Sequence, residues 1–145
     1  GRVTFELRPD LAPNHVARIK ELTRAGFYDG LKFHRVIDGF MAQTGDPRGD
    51  GTGGSGKKLK AEFNSANFLR GTVGMARAND PDSGDSQFFI CFEPAPFLDG
   101  KYTIWGQVTD GMEAIDAIKR GSGQSGSVSN PDQIVKMQIA ADADK

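Results

Sequence analysis

The groups from which covalent, metal and redox sites are made are scarce in this sequence. Its 145 residues include one cysteine, Cys91, and two histidines, His15 and His34. A single thiol closes no intramolecular disulfide, which suits a reducing compartment. Set within the apolar run 88–92, it reads as a packed thiol rather than a nucleophile. Neither histidine has a Cys, His or carboxylate neighbour at ligand spacing, so no metal site and no cofactor are expected. A Gly-x-Ser-x-Gly elbow is missing too, and Ser86 has no sequence-local partner to activate it. Neither sign of charge dominates: Lys plus Arg is 18 against Asp plus Glu at 19, a net charge of -1. No global field draws in nucleic acid or an anionic membrane. The apolar runs fall far short of the ~20 residues of a membrane helix. The chain opens Gly1-Arg2-Val3 with no charged-then-apolar leader and no initiator Met. No signal peptide is expected, although upstream residues could have been removed. The cytoplasm is the expected compartment, with the periplasm as the alternative if a leader was lost.

What is present is one globular domain, residues 1–145. The length supports a sizeable core, and 26% charged with 37% hydrophobic residues is a folded rather than a disordered composition. Alternation predicts a strand over 2–7 with Val3, Phe5 and Leu7 inward. Residues 12–25 place Val16, Ile19 and Leu22 at three-residue steps between Pro13 and Gly26, which predicts a helix. Further strands are expected at 33–37, 41–46, 59–64, 71–78, 86–92, 102–108 and 134–139. A second helix is expected over 112–120, followed by a flexible Gly/Ser connection from 121 to 130. Many short strands and two helices, one near each end, point to a closed barrel or a sandwich. The glycine-rich run 48–58 contains G-x-G-x-x-G twice, at Gly49/Gly51/Gly54 and Gly51/Gly53/Gly56. Phosphate-binding loops of that pattern open directly into a helix, whereas a strand-like alternation follows here, so a surface loop is expected instead.

The stretch 33–46 carries the chemistry. Period-two alternation puts Phe33, Arg35 and Ile37 on one strand face and, after the turn at Asp38-Gly39, Met41 and Gln43 on one face of the next. An arginine among buried-type residues has two readings. Its stem can cover apolar surface while its head reaches water. Alternatively, the guanidinium sits at the rim of an apolar pocket to bind a carbonyl, carboxylate or amide. A second strand-like run, 86–92, delivers Gln87 beside Phe88 and Phe89, which favours the pocket.

Five motif blocks, in order along nearly the whole chain, carry a family resemblance: Phe33-His34-Arg35-Val36-Ile37 with 39–46, Gly51-Thr52-Gly53-Gly54, Met75-Ala76-Arg77-Ala78, Ser86-Gln87-Phe88-Phe89-Ile90, and Phe97-Leu98-Asp99-Gly100-Lys101. Together they resemble the cyclophilins, peptidyl-prolyl cis-trans isomerases, and in their loops the bacterial branch. The resemblance implies a mainly β fold, an eight-stranded antiparallel barrel capped by two helices. It implies Arg35 as the catalytic arginine, with Gln43 and Phe40 in the catalytic set. Met41, Phe89, Phe97, Leu98 and Tyr102 would wall a proline pocket, while Gly54, Ala76, Arg77, Ala78 and Gln87 would contact the peptide, Gln87 beside Arg35. The implied partners are proline-containing peptides and unfolded protein clients, and a monomer is expected.

Three departures qualify that pattern. Phe97 stands where many eukaryotic members have tryptophan, so weak binding of cyclosporin-type inhibitors is expected. Tyr102 stands where many have histidine, and the strand that normally precedes the one at Val3 is absent. A binding module or holdase with little turnover is the alternative function.

Overall fold

Alternation along short strands sets the architecture. In the computed structural model, which describes residues 1–143, six strands form one antiparallel sheet. They are β1 (Thr4–Leu7), β2 (Arg35–Ile37), β3 (Met41–Thr44), β4 (Thr72–Met75), β5 (Phe88–Cys91) and β6 (Ile104–Asp110). Side by side they run β1-β6-β4-β5-β3-β2. Two helices, α1 (Pro13–Arg24) and α2 (Met112–Asp116), complete the regular elements of this mainly β chain, with two short 3-10 turns.

Because successive strand side chains point to opposite faces, the central strands feed two separate apolar clusters. Phe88 and Ile90 of β5, Val73 and Met75 of β4, Val36 of β2 and Ala42 of β3 join Val16, Ile19 and Leu22 of α1 around Trp105. Phe89 and Cys91 of β5 and Met41 of β3 point the other way, meeting Phe68, Leu98 and Ile104. Each fully buried large side chain contributes about 1.5–3 kcal/mol, so the first cluster is the main stabilising core. The second underlies the candidate site.

Helix α1 buries the expected Val16, Ile19 and Leu22, and Pro13 opens it. Its N-cap residue supplies no side-chain hydrogen bond. The cap comes from a distant loop: the Glu62 carboxylate accepts from Asn14 N at 3.1 Å and His15 N at 2.7 Å, and from His15 Nδ1 at 2.6 Å. A carboxylate at a helix start satisfies orphan amides and complements the dipole.

Four expectations need correction. The strand expected at 59–64 is reduced to one bridge, Leu59 to Gly84, because the following amides are taken by side chains: Ala61 N donates to Asp82 Oδ1 and Glu62 N to Thr103 Oγ1, both at 2.9 Å. The strand expected at 134–139 forms no ladder. Its backbone meets the turn at 29–31, with Ile134 N donating to Leu31 O at 2.8 Å and Met137 N to Asp29 Oδ1 at 2.8 Å, and Val135 is 91% exposed.

Helix α2 ends at Asp116 rather than at 120. The chain then turns so that Gly121 N reaches Val36 O at 2.8 Å, and the Arg120 guanidinium lies 4.2 Å over the Phe92 ring. Last, the Gly/Ser run expected to be a flexible connection pairs with the outer edge of β2. Val36 N donates to Gly126 O at 2.8 Å and Val128 N to His34 O at 3.2 Å. Glycine is required there: a Cβ on Gly121 would lie 1.9 Å from Gly126 O.

Candidate active site

The cross-strand register places Arg35 of β2 directly opposite Gln43 of β3, and Gln43 opposite Phe89 of β5. All three therefore lie on the face that carries the second apolar cluster. The turn between β2 and β3 closes through Phe40 N donating to Ile37 O at 3.0 Å, with Gly39 at φ 73°, where a side chain is disfavoured. The short turn fixes the register and, with it, the face on which the arginine stands.

The guanidinium of Arg35 is held from two sides. Its Nε donates to Ser125 O at 2.9 Å and its Nη1 to Gln43 Oε1 at 3.1 Å. Gln43 Nε2 donates to Gln87 Oε1 at 2.8 Å, and Gln87 Nε2 donates to Gly51 O at 3.0 Å and Gly53 O at 2.9 Å. Gln87 thus reaches Arg35 through Gln43. Each amide in the chain has one consistent orientation, oxygen toward its donor, so the guanidinium is anchored to the glycine loop.

Beside it opens a cavity of about 450 Å3. Arg35, Gln43 and Arg77 give its polar side, and Phe40, Met41, Ala76, Phe89, Phe97, Leu98 and Tyr102 the apolar side. Met41, Phe89 and Leu98 are buried, while Phe97 is 61% exposed and packs on Phe40 with centroids 5.3 Å apart. Behind the wall, Phe68 stacks on Phe89 at 5.7 Å, and Tyr102 meets Phe89 edge-on at 5.9 Å. The Arg77 guanidinium lies 4.4 Å over the Tyr102 ring. Gly54, Ala78 and Gln87, the other expected contact residues, line an adjoining cavity.

The glycine loop is fixed by two carboxylates. Asp46, buried at the end of β3, accepts from Arg48 N at 2.8 Å, Asp50 N at 3.1 Å and Gly51 N at 2.6 Å. Burial alone would raise its pKa; the backbone N–H groups of Arg48, Gly53, Gly51 and Asp50 outweigh that and hold it below the usual carboxylate range. Asp85 accepts from Ser55 N at 2.8 Å, Ser55 Oγ at 2.5 Å and Gly56 N at 3.1 Å. The next regular element after the loop is β4.

Burial pushes the Cys91 thiol up to about 12, with the Asp99 charge adding to the effect, so it stays protonated as expected of a packed thiol. Among the described residues no three His, Cys, Asp or Glu side chains gather as a metal site, and no helix is long and apolar enough to cross a membrane. Several supports of the site were not legible locally: the Ser125 carbonyl, Phe68, and the Asp46 and Asp85 clamps. The Ser125, Phe68 and Asp85 contacts are long-range. The Asp46 clamp is local, reaching amides two to five residues on, and there only the turn-forming residue types hinted at structure.

An antiparallel sheet carrying a fixed cation beside an apolar cavity defines a class of site, one with an apolar wall and hydrogen-bonding groups at its rim. Comparison with known proteins makes this specific. Residues 1–139 match the family model "Cyclophilin type peptidyl-prolyl cis-trans isomerase/CLD", and the chain belongs to that family of isomerases. A probable peptidyl-prolyl cis-trans isomerase of Brucella suis is 56% identical over 155 residues, spanning 98% of this chain and 79% of the relative. Peptidyl-prolyl cis-trans isomerase B of Bacillus subtilis is 47% identical over 123 residues, spanning 83% and 85% of the two chains. In three dimensions the chain superposes on a cyclophilin-type isomerase of Cryptosporidium parvum, solved in the presence of the dipeptide Ala-Pro. That match has a TM-score of 0.88 at 32% identity and covers 96% of this chain and 92% of the other.

Proposed function

We propose that this isomerase acts on X-Pro bonds of unfolded or flexible polypeptides by noncovalent stabilisation of the twisted amide, with Arg35 as the catalytic donor. Rotation about a prolyl bond is slow because the twisted state loses amide resonance. The barrier is ~18–20 kcal/mol, giving spontaneous times of tens to hundreds of seconds. As resonance is lost the proline nitrogen regains its lone pair. A donor aimed there binds the twisted state more tightly than either planar one, which is what lowers a barrier. Arginine suits the task because it keeps its charge and offers several donors in a fixed plane.

The observation that carries this reading is the anchoring of Arg35. Two of its nitrogens are bound within the chain, to Ser125 O and Gln43 Oε1, at the edge of a cavity walled by Met41, Phe89 and Leu98. A donor already held in place needs no reorganisation during the reaction. The apolar wall grips the proline ring and excludes water, while Gln43 and the backbone at 76–78 hold the preceding residue. A ~10⁵-fold acceleration requires about 7 kcal/mol of differential binding, more than one charge-assisted hydrogen bond contributes at about 1.5–3 kcal/mol. The wall and the amides must therefore share the work.

Exchange spectroscopy on a short X-Pro peptide, with catalytic amounts of parent protein or of Arg35→Ala, is the test. The parent accelerates exchange, and the variant loses ~10²–10³-fold, the usual effect of removing one preorganised donor. A parent that binds the peptide but leaves exchange at its spontaneous rate would instead be a recognition module. A variant as fast as the parent would remove Arg35 from the mechanism.

A further inference from the structure

The second cavity, about 460 Å3, shares Gln43, Ala76 and Arg77 with the proline pocket and so continues it. Four charged side chains line it: Asp85, Arg77, Arg48 and Lys58. Two are already committed. The Asp85 carboxylate accepts three hydrogen bonds from Ser55 and Gly56. The Arg77 guanidinium donates to Lys101 O at 2.7 Å and Ala78 O at 2.9 Å while lying over Tyr102. The head groups of Arg48 and Lys58 are exposed and, among the described residues, form no ion pair. The cavity therefore presents two uncommitted cations beside a carboxylate whose oxygens are occupied by internal donors.

We propose that this cavity selects substrates carrying an Asp or Glu side chain on the N-terminal side of the X-Pro bond, with Arg48 and Lys58 as the specificity-determining residues. The inference rests on the isomerase mechanism above. With the proline ring in the apolar pocket and the preceding residue against Gln43 and the backbone at 76–78, the residues before it run across the shared wall into this cavity. A carboxylate there meets two cations. An isosteric amide meets none of that attraction, and a lysine meets repulsion. Ion pairs of exposed groups are weak and salt-screened, so the preference is modest, about five-fold in kcat/KM for Glu over Gln at low salt.

Peptide pairs identical except for Glu or Gln at the first or second residue before the X-Pro pair decide it, by NMR exchange rate and by Kd from titration of the same samples. The expected result is the five-fold preference at one of the two positions. It collapses at about 1 M salt, collapses in Arg48→Gln/Lys58→Gln, and is retained in Arg48→Lys/Lys58→Arg. Each preference is a ratio on one protein sample, so a loss of folded material cancels. Equal values for Glu and Gln on the parent overturn the proposal, and so does a preference that survives in the doubly neutralised variant. If exchange is accelerated for no peptide, the isomerase mechanism fails, while the Kd ratio still decides this inference: tighter Glu binding supports it and equal binding overturns it.

Discussion

The two adjoining cavities are nearly equal in size, about 450 and 460 Å3, yet they are held in shape by different physics. The apolar cavity beside Arg35 takes its walls from sheet side chains and a 3-10 turn, and Met41 and Phe89 are 2% and 5% exposed. Close packing keeps that wall in place. The polar cavity is bounded largely by residues 47–58, which have no regular structure. Its shape comes from Asp46 and Asp85, which collect backbone amides that would otherwise be unpaired. The first region should fail by loss of volume and the second by loss of charge. Gln43 and Gln87 join the two, so damage to either reaches Arg35.

The comparison is broken most severely on the packed side. Phe89→Ala removes a ring that stacks on Phe68 and meets Tyr102, and should lower unfolding free energy by about 3–5 kcal/mol in urea titration. Isomerase activity should fall with it, because the cavity loses its floor. On the clamped side, Asp46→Ala leaves three part-buried amides, those of Arg48, Asp50 and Gly51, without their acceptor. A loss of about 1.5–3 kcal/mol is expected. Here kcat/KM should fall further than stability alone accounts for, since Gly51 and Gly53 lose the support with which they hold Gln87. Asp46→Asn, which keeps one acceptor oxygen, should sit between parent and Asp46→Ala in both assays. If Asp46→Ala were destabilised but fully active at a temperature where it stays folded, the two regions would be uncoupled.

A smaller change sharpens the packed side. A Cβ on Gly74 would lie 2.7 Å from both Phe68 Cε2 and Phe89 Cζ. Gly74→Ala should therefore cost about 1–3 kcal/mol by overpacking and shift the Phe89 ring resonances in an NMR spectrum.

Acid should act mainly on the polar side and its neighbours. Burial pushes the His34 pKa down, against the opposing pull of the Asp46 charge, and burial pushes His15 down against Glu62. Burial opposes ionisation of Asp46 and Glu62. Backbone amides outweigh it at Asp46, as do the His15 ring and amides at Glu62, and both pKa values end lower. In all four groups the unfolded chain takes up protons at a higher pH than the native one, so stability falls as pH falls. It should be full above about 6.5, decline first through the histidine range, and decline again below about 4 as the carboxylates protonate. Urea midpoints at a series of pH values would check this, and a midpoint that rises between pH 7 and 5 would contradict it.

The smallest expected effect is at His34, whose two ring nitrogens are buried without a partner among the described residues. His34→Leu should leave stability at pH 7 unchanged or raised. It should also remove part of the decline through the histidine range.

Period-two patterning was enough to read most of the strand faces that carry the site, but Phe33, expected on a face with Arg35 and Ile37, lies before β2 and packs into the main core instead. Arg35, Met41, Gln43 and Phe89 fall on one sheet face because strand side chains alternate, and that pattern lies in the residues themselves. The helix over 13–24 was legible for the same kind of reason, with Val16, Ile19 and Leu22 on one side and Pro13 at its start. Alternation also misled, at 59–64 and at 134–139. Whether an alternating segment becomes a strand depends on having a neighbour with free backbone groups, and there the available partners were side chains and a turn. The order of the strands, the docking of residues 121–128 on β2, the Ser125 carbonyl on Arg35 and the Asp85 clamp under the glycine loop were decided by tertiary structure alone. Each joins residues that no local pattern couples, and their pairing is selected only when the whole chain has to bury its apolar surface while satisfying its backbone. The sequence thus determined which side chains a strand would offer to one face; the folded chain decided what those side chains meet.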